Sequence, residues 1–451
     1  MTDHISLKTK VAYGLGALGK DFGCAPIYIF LMFYFTDIAG LEAAFVGTMF
    51  LFARFIDAVT DPMMGMVVDN TKSRFGKFRP WIVIGTLVNA VVVLALFKAH
   101  LFEGTSLYVY ATIAYIVWGV TYTIMDIPFW SIIPALSKSR PEREKLVVWP
   151  RIFASMAWWL VGAYGLVTVS YFGNGDQAEG FFNASLAICV VFIASAFIVF
   201  FNVKEKVNTK VHSKFTPKDV IAIIKNNDQL RILIGCVLAF QVANMMIGGF
   251  ALYYFKYVVG TEGLFSEYMW AAGLSEIAGV FLLPHLASRL PRKWMWLLAC
   301  TLPIISCSVL YAAGIISPQT AIFVAISGGI VKFGVGMFNV LSTVMLADVV
   351  DYGEHKTGMR SESVIFSVQT MLVKLAGALS AFMTGVGLSI IGYEANVEQS
   401  ESTVTGIQFL MLGMPSILML LSAFIYKKYY KMHEGFDEKA FEPAIKTEAQ
   451  G

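Results

Sequence analysis

Charge is scarce in this sequence. Only 14% of its 451 residues are Asp, Glu, Lys or Arg, 57% are hydrophobic, and the mean hydropathy is +0.67. Soluble domains carry about 25% charged residues, so a soluble globular fold is excluded. Strict apolar–polar alternation over about 10 residues is also missing, which disfavours a transmembrane β-barrel. No GxxxxGK[ST] loop occurs. The chain therefore shows no ATP engine, and uphill work has to draw on an ion gradient. Cysteine is rare and scattered: Cys24, Cys189, Cys236, Cys300 and Cys307 all lie inside apolar runs, with no CxxC and no Cys/His cluster. Neither a disulfide framework nor a metal site of that kind follows. The first apolar run is broken by Lys20 and Asp21 and lacks a cleavage-type end, so it reads as a first span and not a removable signal. The net charge of +3 is too small to point to nucleic acid.

What is present is a series of apolar runs of about 20 residues or more, the length that crosses a bilayer as a helix. Twelve are expected, over 11–37, 42–69, 80–99, 106–136, 146–172, 181–202, 228–258, 264–288, 293–314, 318–348, 360–392 and 404–430. The fold class is an all-α integral membrane protein. Of the 34 Lys and Arg, 26 fall in segments 1–10, 70–79, 137–145, 203–226, 289–293, 351–360 and 427–451. The alternate loops hold none, and loop 393–403 is acidic. The positive-inside rule then puts both termini in the cytoplasm. One connection is long, basic and hydrophilic, near the chain's midpoint. It predicts two six-helix bundles, 1–203 and 228–430, joined by a cytoplasmic linker at 204–227 and followed by a tail at 431–451. That layout is the one expected of secondary transporters, with substrate held between the halves.

A short list of charges remains at membrane depth: Asp21, Asp57, Asp61, Asp126 and Glu276 against Lys20, Arg54, Arg151, Lys332 and Lys374. A charge at the bilayer centre costs roughly 2.5–3.5 kcal/mol on insertion scales. At about 1.5 Å per residue, Asp21, Asp61 and Asp126 lie about 12–15 Å from their cytoplasmic ends, Asp57 about 18 Å and Lys374 about 20 Å. Several spans thus place charge in one slab, as a central polar cavity requires. Asp57 and Asp61 are i,i+4 neighbours on one helical face. Two carboxylates there repel unless a cation sits between them or one holds a proton. The first half has four acids against three bases, and one bound Na⁺, Li⁺ or H⁺ cancels the excess. The cation site is therefore placed at Asp57 and Asp61, with Thr60 and Thr123 as further oxygen ligands. In the fourth span Tyr122, Asp126 and Trp130 share a face, an arrangement suited to a sugar: the acid accepts from hydroxyls and the indole stacks on the ring. Pro128 and Pro134 loosen the backbone there, and Gly14, Gly16 and Gly19 allow close helix approach in the first span.

Seven stretches carry a resemblance: YGLGALGKDFG (13–23), GTMFLFARFIDAVTDPMMG (47–65), SRFGKFRPWIVIGTL (73–87), YTIMDIPFWS (122–131), NDQ (227–229), DVVDYGE (348–354) and SVQTMLVK (367–374). In them the chain resembles the glycoside–pentoside–hexuronide:cation symporters of the major facilitator superfamily. The resemblance implies Asp57, Asp61 and Thr123 as cation ligands, and Asp21 and Asp126 as the acids that hold galactosyl hydroxyls. It implies Trp130 as the stacking aromatic, with Lys20, Tyr122 and Arg151 lining the same pocket. Gln369, Thr370 and Lys374 would face that pocket from the second half, and Asp351 and Arg360 would lock a cytoplasmic gate.

Four positions depart from the family member the chain most resembles: Thr60 replaces Asn, Asn339 replaces Trp, and Glu276 and Lys332 replace neutral polar residues. Glu276 and Lys332 lie at mid-depth on the eighth and tenth spans and are expected to form an ion pair. Arg54 is taken as structural or gating. The expected activity is symport of a galactoside such as melibiose with Na⁺, Li⁺ or H⁺ by alternating access. The chain would work as a monomer in a bacterial inner membrane, with no cofactor, no enzyme activity and no nucleic-acid partner. The alternatives are a proton-coupled transporter of another glycoside, pentoside or hexuronide, a lipid-handling protein on the same scaffold, or an intramembrane enzyme.

Overall fold

The computed structural model describes residues 4–137, 139–205, 217–316, 320–357 and 362–432. Arg360 and the side chain of Thr370 lie outside the described residues. Within them there is no strand, and twelve helices are long and apolar enough to cross a membrane. They are α1 (Leu7–Ile38), α2 (Ala43–Asp69), α3 (Arg79–Leu96), α4 (Gly104–Ser131), α5 (Arg140–Gly173), α6 (Gln177–Asn202), α7 (Asp228–Val258), α8 (Leu264–Ala287), α9 (Arg292–Ile316), α10 (Ala321–Thr357), α11 (Glu362–Ile390) and α12 (Glu401–Tyr429). Helices are what hydrocarbon permits, because each span then satisfies its own backbone polar groups. Short polar side chains start several of them. Ser6 accepts from the Thr9 amide, Asp176 from Ala178, and Asn227 from Leu230.

Spans α1 and α7 end in the same way. Each closes with a π-helical stretch, Tyr34–Ile38 and Tyr254–Val258, and each is followed by a left-handed glycine, Gly40 (φ 81°) and Gly260 (φ 75°). The Ala39 amide donates to the Tyr34 carbonyl and the Val259 amide to the Tyr254 carbonyl. The positive φ is open to glycine without the Cβ penalty, so the two halves of the sequence repeat one device for leaving the membrane.

Contacts divide the chain into two compact units, residues 1–212 with 381–403, and residues 213–380 with 404–451. This differs from a cut at the central linker, because residues 381–403 cluster with the first unit. The reason is backbone proximity. A Cβ on Gly385 would strike the Ala43 carbonyl, and one on Gly47 would lie 2.8 Å from the Ala381 carbonyl. Ser389 also accepts from the Ala44 amide at 3.0 Å, and the Tyr393 hydroxyl donates to Asp37 at 2.6 Å. Elsewhere in the first unit α1 packs on α5 and α6, where a Cβ on Gly19 would collide with Ser195. In the second unit α8 and α10 are the most extensively packed pair. A Cβ on Gly336 would strike the Glu276 carbonyl, and one on Gly279 the Phe333 carbonyl.

Two features differ from the sequence expectation. Residues 351–360 read as a loop, yet α10 runs on to Thr357, so Asp351 lies within a helix. The extension is held because the Tyr352 hydroxyl and the Lys356 amine both donate to Asp228, each at 2.8 Å. The fourth span also stops at Ser131, and Pro134 sits in a separate short helix, Ile133–Leu136.

The first residues are tethered by a carboxylate. Glu142, in the first turn of α5, accepts from the Ile5 amide at 3.2 Å, from Lys10 at 3.3 Å and from Lys145 at 3.4 Å. The Ile5 amide first, and then the two lysines, hold its carboxyl down at about 2. An unfolded Glu titrates near 4.3, roughly. The tether's contribution is therefore complete above that value and is lost as pH falls toward 2. Glu142→Gln is expected to lower the hydrogen-exchange protection factor of the Ile5 amide by about tenfold at neutral pH, and acidification of the wild type to lower that factor, taken against the intrinsic rate at each pH, by the same amount. Mass-spectrometric exchange with no change at Ile5 would rule the tether out.

Candidate functional site

Three helices of the first unit, α1, α2 and α4, supply the charges that cluster at the candidate site. Helix α1 supplies Lys20 and Asp21, which are nearly inaccessible at 5% and 7% exposure. The Lys20 amine donates to Asp21 at 2.8 Å and to the Tyr122 hydroxyl at 2.9 Å. It also stands 3.0 Å from Asp126 Oδ1, as a charge contact without hydrogen-bond alignment. One cation thus holds two carboxylates from different helices. It has to, because an unpaired charge at this depth is the costly alternative. Rings close around it: the amine lies 5.4 Å from the Tyr122 ring, 5.9 Å from Phe129 and 5.7 Å from Trp130. Arg151, from α5, places its guanidinium 5.1 Å from the same Trp130 ring and is itself exposed. The Phe129 position is set from behind by Tyr13, whose hydroxyl donates to the Phe129 carbonyl at 2.6 Å and whose ring stacks at 4.6 Å.

Helix α2 supplies the second cluster. Arg54 and Asp57 form an ion pair at 2.8 Å, three residues apart on the helix. The guanidinium donates further to Tyr28 at 3.3 Å and Tyr115 at 3.2 Å. Asp57 reaches over Gly119 of α4, where an added Cβ would lie 3.0 Å from its carboxylate. Asp61 accepts from the Thr123 hydroxyl at 2.8 Å. Thr60 turns toward its own helix, its hydroxyl 3.5 Å from the Asp57 carbonyl.

Helix α4 carries both clusters. Within nine residues it holds Thr123, bonded to Asp61, and Tyr122, Asp126 and Trp130, arranged around Lys20. A ladder of rings on its own face, Tyr115, Trp118 and Tyr122, with centroids 5.6 Å apart at each step, runs from the residue that binds Arg54 to the residue that binds Lys20. Sequence reasoning passed over Tyr28, Tyr115 and Phe129. The i, i+3, i+7 spacing of Tyr115, Trp118 and Tyr122 was the available signal for the ladder.

The second unit holds the remaining sequence candidates. Lys332 and Glu276 approach to 3.4 Å. Gln369 donates to Thr343 at 3.4 Å, and Lys374 is half-buried on α11. Asp348, near the end of α10, makes an ion pair with Arg292 at the start of α9. That pair was missed because both residues sit at the polar edges of spans, where charge is ordinary.

A family model for MFS/sugar transport protein matches residues 12–432. The chain is 29% identical to the inner membrane symporter YicJ of Escherichia coli (strain K12), over 96% of this chain and 93% of that one. It is 30% identical to the isoprimeverose transporter of Lactiplantibacillus pentosus, over 94% of this chain and 88% of that one. Among solved structures it is similar to a bacterial homolog of the human lysosomal transporter Spinster, with a TM-score of 0.68 and 13% identity, covering 96% of this chain and 98% of that one. That likeness bears on the fold alone.

Proposed function

Because the chain belongs to the MFS/sugar transport protein family, as a multi-pass plasma-membrane transporter and not an enzyme, we propose that it couples entry of a galactoside-type sugar to one monovalent cation. Both termini lie in the cytoplasm on this reading, as the distribution of Lys and Arg requires. The observation that carries it is the double load on α4, where one turn binds Asp61 through Thr123 and the next binds Lys20 through Asp126.

The chemistry follows from the charges. Asp21, Asp57, Asp61 and Asp126 against Lys20, Arg54 and Arg151 sum to −1, which one Na⁺, Li⁺ or H⁺ cancels at Asp57, Asp61 and Thr123. Hard cations take oxygen ligands, and two carboxylates with a hydroxyl supply them. The sugar is held by Asp21 and Asp126, whose carboxylates accept from its hydroxyls, with Trp130 against its ring face. Cation binding draws Thr123 and its helix turn toward Asp61 and fixes Asp126 one turn further on. Sugar affinity rises, and by linkage the sugar raises cation affinity by the same factor. The loaded or empty carrier then exchanges access from one side to the other, and the ion gradient sets the direction of net flow.

The test is uptake of radiolabelled melibiose into proteoliposomes with an imposed gradient of Na⁺, of Li⁺ or of neither, with external pH followed throughout. Uptake raised by Na⁺ or Li⁺ is expected if Thr60 serves a metal ion in place of Asn. Medium alkalinisation without a metal effect would assign the same acids to a proton. Uptake indifferent to all three cations would overturn the coupling.

A further inference from the structure

We infer that a polar cluster in the second unit, formed by Glu276, Lys332, Asn339 and Gln241, recognises a neutral, hydroxyl-rich part of the substrate and excludes anionic sugars. It rests on the sugar-transport reading above and adds a choice of charge class to it.

Three helices build the cluster. Lys332 of α10 stands 3.4 Å from Glu276 Oε2 of α8. Asn339 of α10 donates to Glu276 Oε1 at 3.5 Å, and Gln241 of α7 donates to Asn339 at 3.4 Å. Lys332, Asn339 and Thr343 are spaced i, i+7 and i+11, within about 40° of one helical face at 100° per residue. The tight backbone seam at Gly336 and Gly279 sets α8 against α10 and so places the acid beside the base.

Position and exposure argue for recognition over bracing. Glu276 is 12 residues into α8, about 18 Å from its start, and Lys332 is 11 residues into α10, about 17 Å. Both are at mid-membrane, yet their side chains remain 34% and 27% exposed. Charges open at that depth belong on an aqueous face, because lipid would penalise them. The contacts of 3.4–3.5 Å are also long, which leaves donor and acceptor capacity unspent. The cluster's charge is zero, with donors and acceptors side by side. A sugar hydroxyl gives and accepts one bond at a time and suits such a surface. A carboxylate or sulfonate drawn to Lys332 would meet Glu276 a few ångströms away and be repelled.

The experiment measures uptake by the full-length chain in proteoliposomes, with melibiose and isoprimeverose as neutral probes and methyl β-glucuronide as the anionic one. Wild type is expected to favour a neutral probe by about tenfold or more. Glu276→Gln should lower that neutral-to-anionic ratio by about tenfold, since Lys332 is then unmatched. The double variant E276Q/K332Q should return the ratio to within about threefold of wild type. Lys332→Gln, which removes the base and leaves the half-exposed Glu276 carboxylate, should raise the ratio further and serves if the first variant does not fold. A brace without contact to substrate predicts that all uptakes fall together, so an unchanged ratio in Glu276→Gln or in Lys332→Gln overturns the inference while leaving symport standing. Wild-type uptake of none of the three sugars overturns the proposed function itself, and this inference with it.

Discussion

Asp126→Cys is expected to lose sugar affinity by about 100-fold or more while keeping its fold. Hydrogen bonds to a charged group contribute about 1.5–3 kcal/mol each. Two sugar hydroxyls on Asp126 make about 3 kcal/mol a conservative loss, and each 1.4 kcal/mol is about tenfold. The fold survives because Lys20 keeps Asp21 at 2.8 Å and Tyr122 at 2.9 Å, so no buried cation is stranded. Removing the charge also brings the first-unit total from −1 to zero, so cation affinity should fall as well. Equilibrium dialysis with radiolabelled melibiose at saturating cation separates the two effects. Melibiose bound within about threefold of wild type would remove Asp126 from the sugar site.

The second large effect is expected at Asp61. Asp61→Asn should abolish the dependence of sugar affinity on the cation and leave sugar exchange down its own gradient intact. Coupling between two ligands typically lies at 5–150-fold, roughly, and the whole of that factor should vanish. Thr123 can still donate to the new amide oxygen, so α4 keeps its place while the anionic ligand is gone. Asp57 remains engaged with Arg54 at 2.8 Å, which keeps α2 intact. Melibiose affinity measured with and without Na⁺, Li⁺ or added acid reads the result directly. A variant that retains the full cation effect would move the ion elsewhere.

The residues of the candidate site were legible because they are misfits. Lys20, Asp21, Asp57, Asp61 and Asp126 stand out in apolar runs where a charge is expensive, so the sequence alone could mark them. Their partners were less visible. Asp57 and Asp61 read as a like-charged pair, but Asp57 takes Arg54 from its own helix and Asp61 takes a hydroxyl from α4. Tyr28 and Tyr115 gave no sign of holding Arg54, because aromatic residues are common in membrane helices and only packing turns a hydroxyl toward a guanidinium.

The sequence by itself determined the number of spans and their helical state. Bilayer thickness, backbone hydrogen bonding and 1.5 Å per residue are local constraints that one stretch of chain satisfies alone. Only the tertiary structure decided which partners Lys20 and Arg54 take, that Arg292 pairs with Asp348 while Asp351 lies within α10, and that residues 381–403 cluster with the first unit. Those outcomes depend on how closely two backbones approach. Glycines such as Gly47, Gly336 and Gly385 permit that approach, but no periodicity in the sequence says which helix will come to meet them.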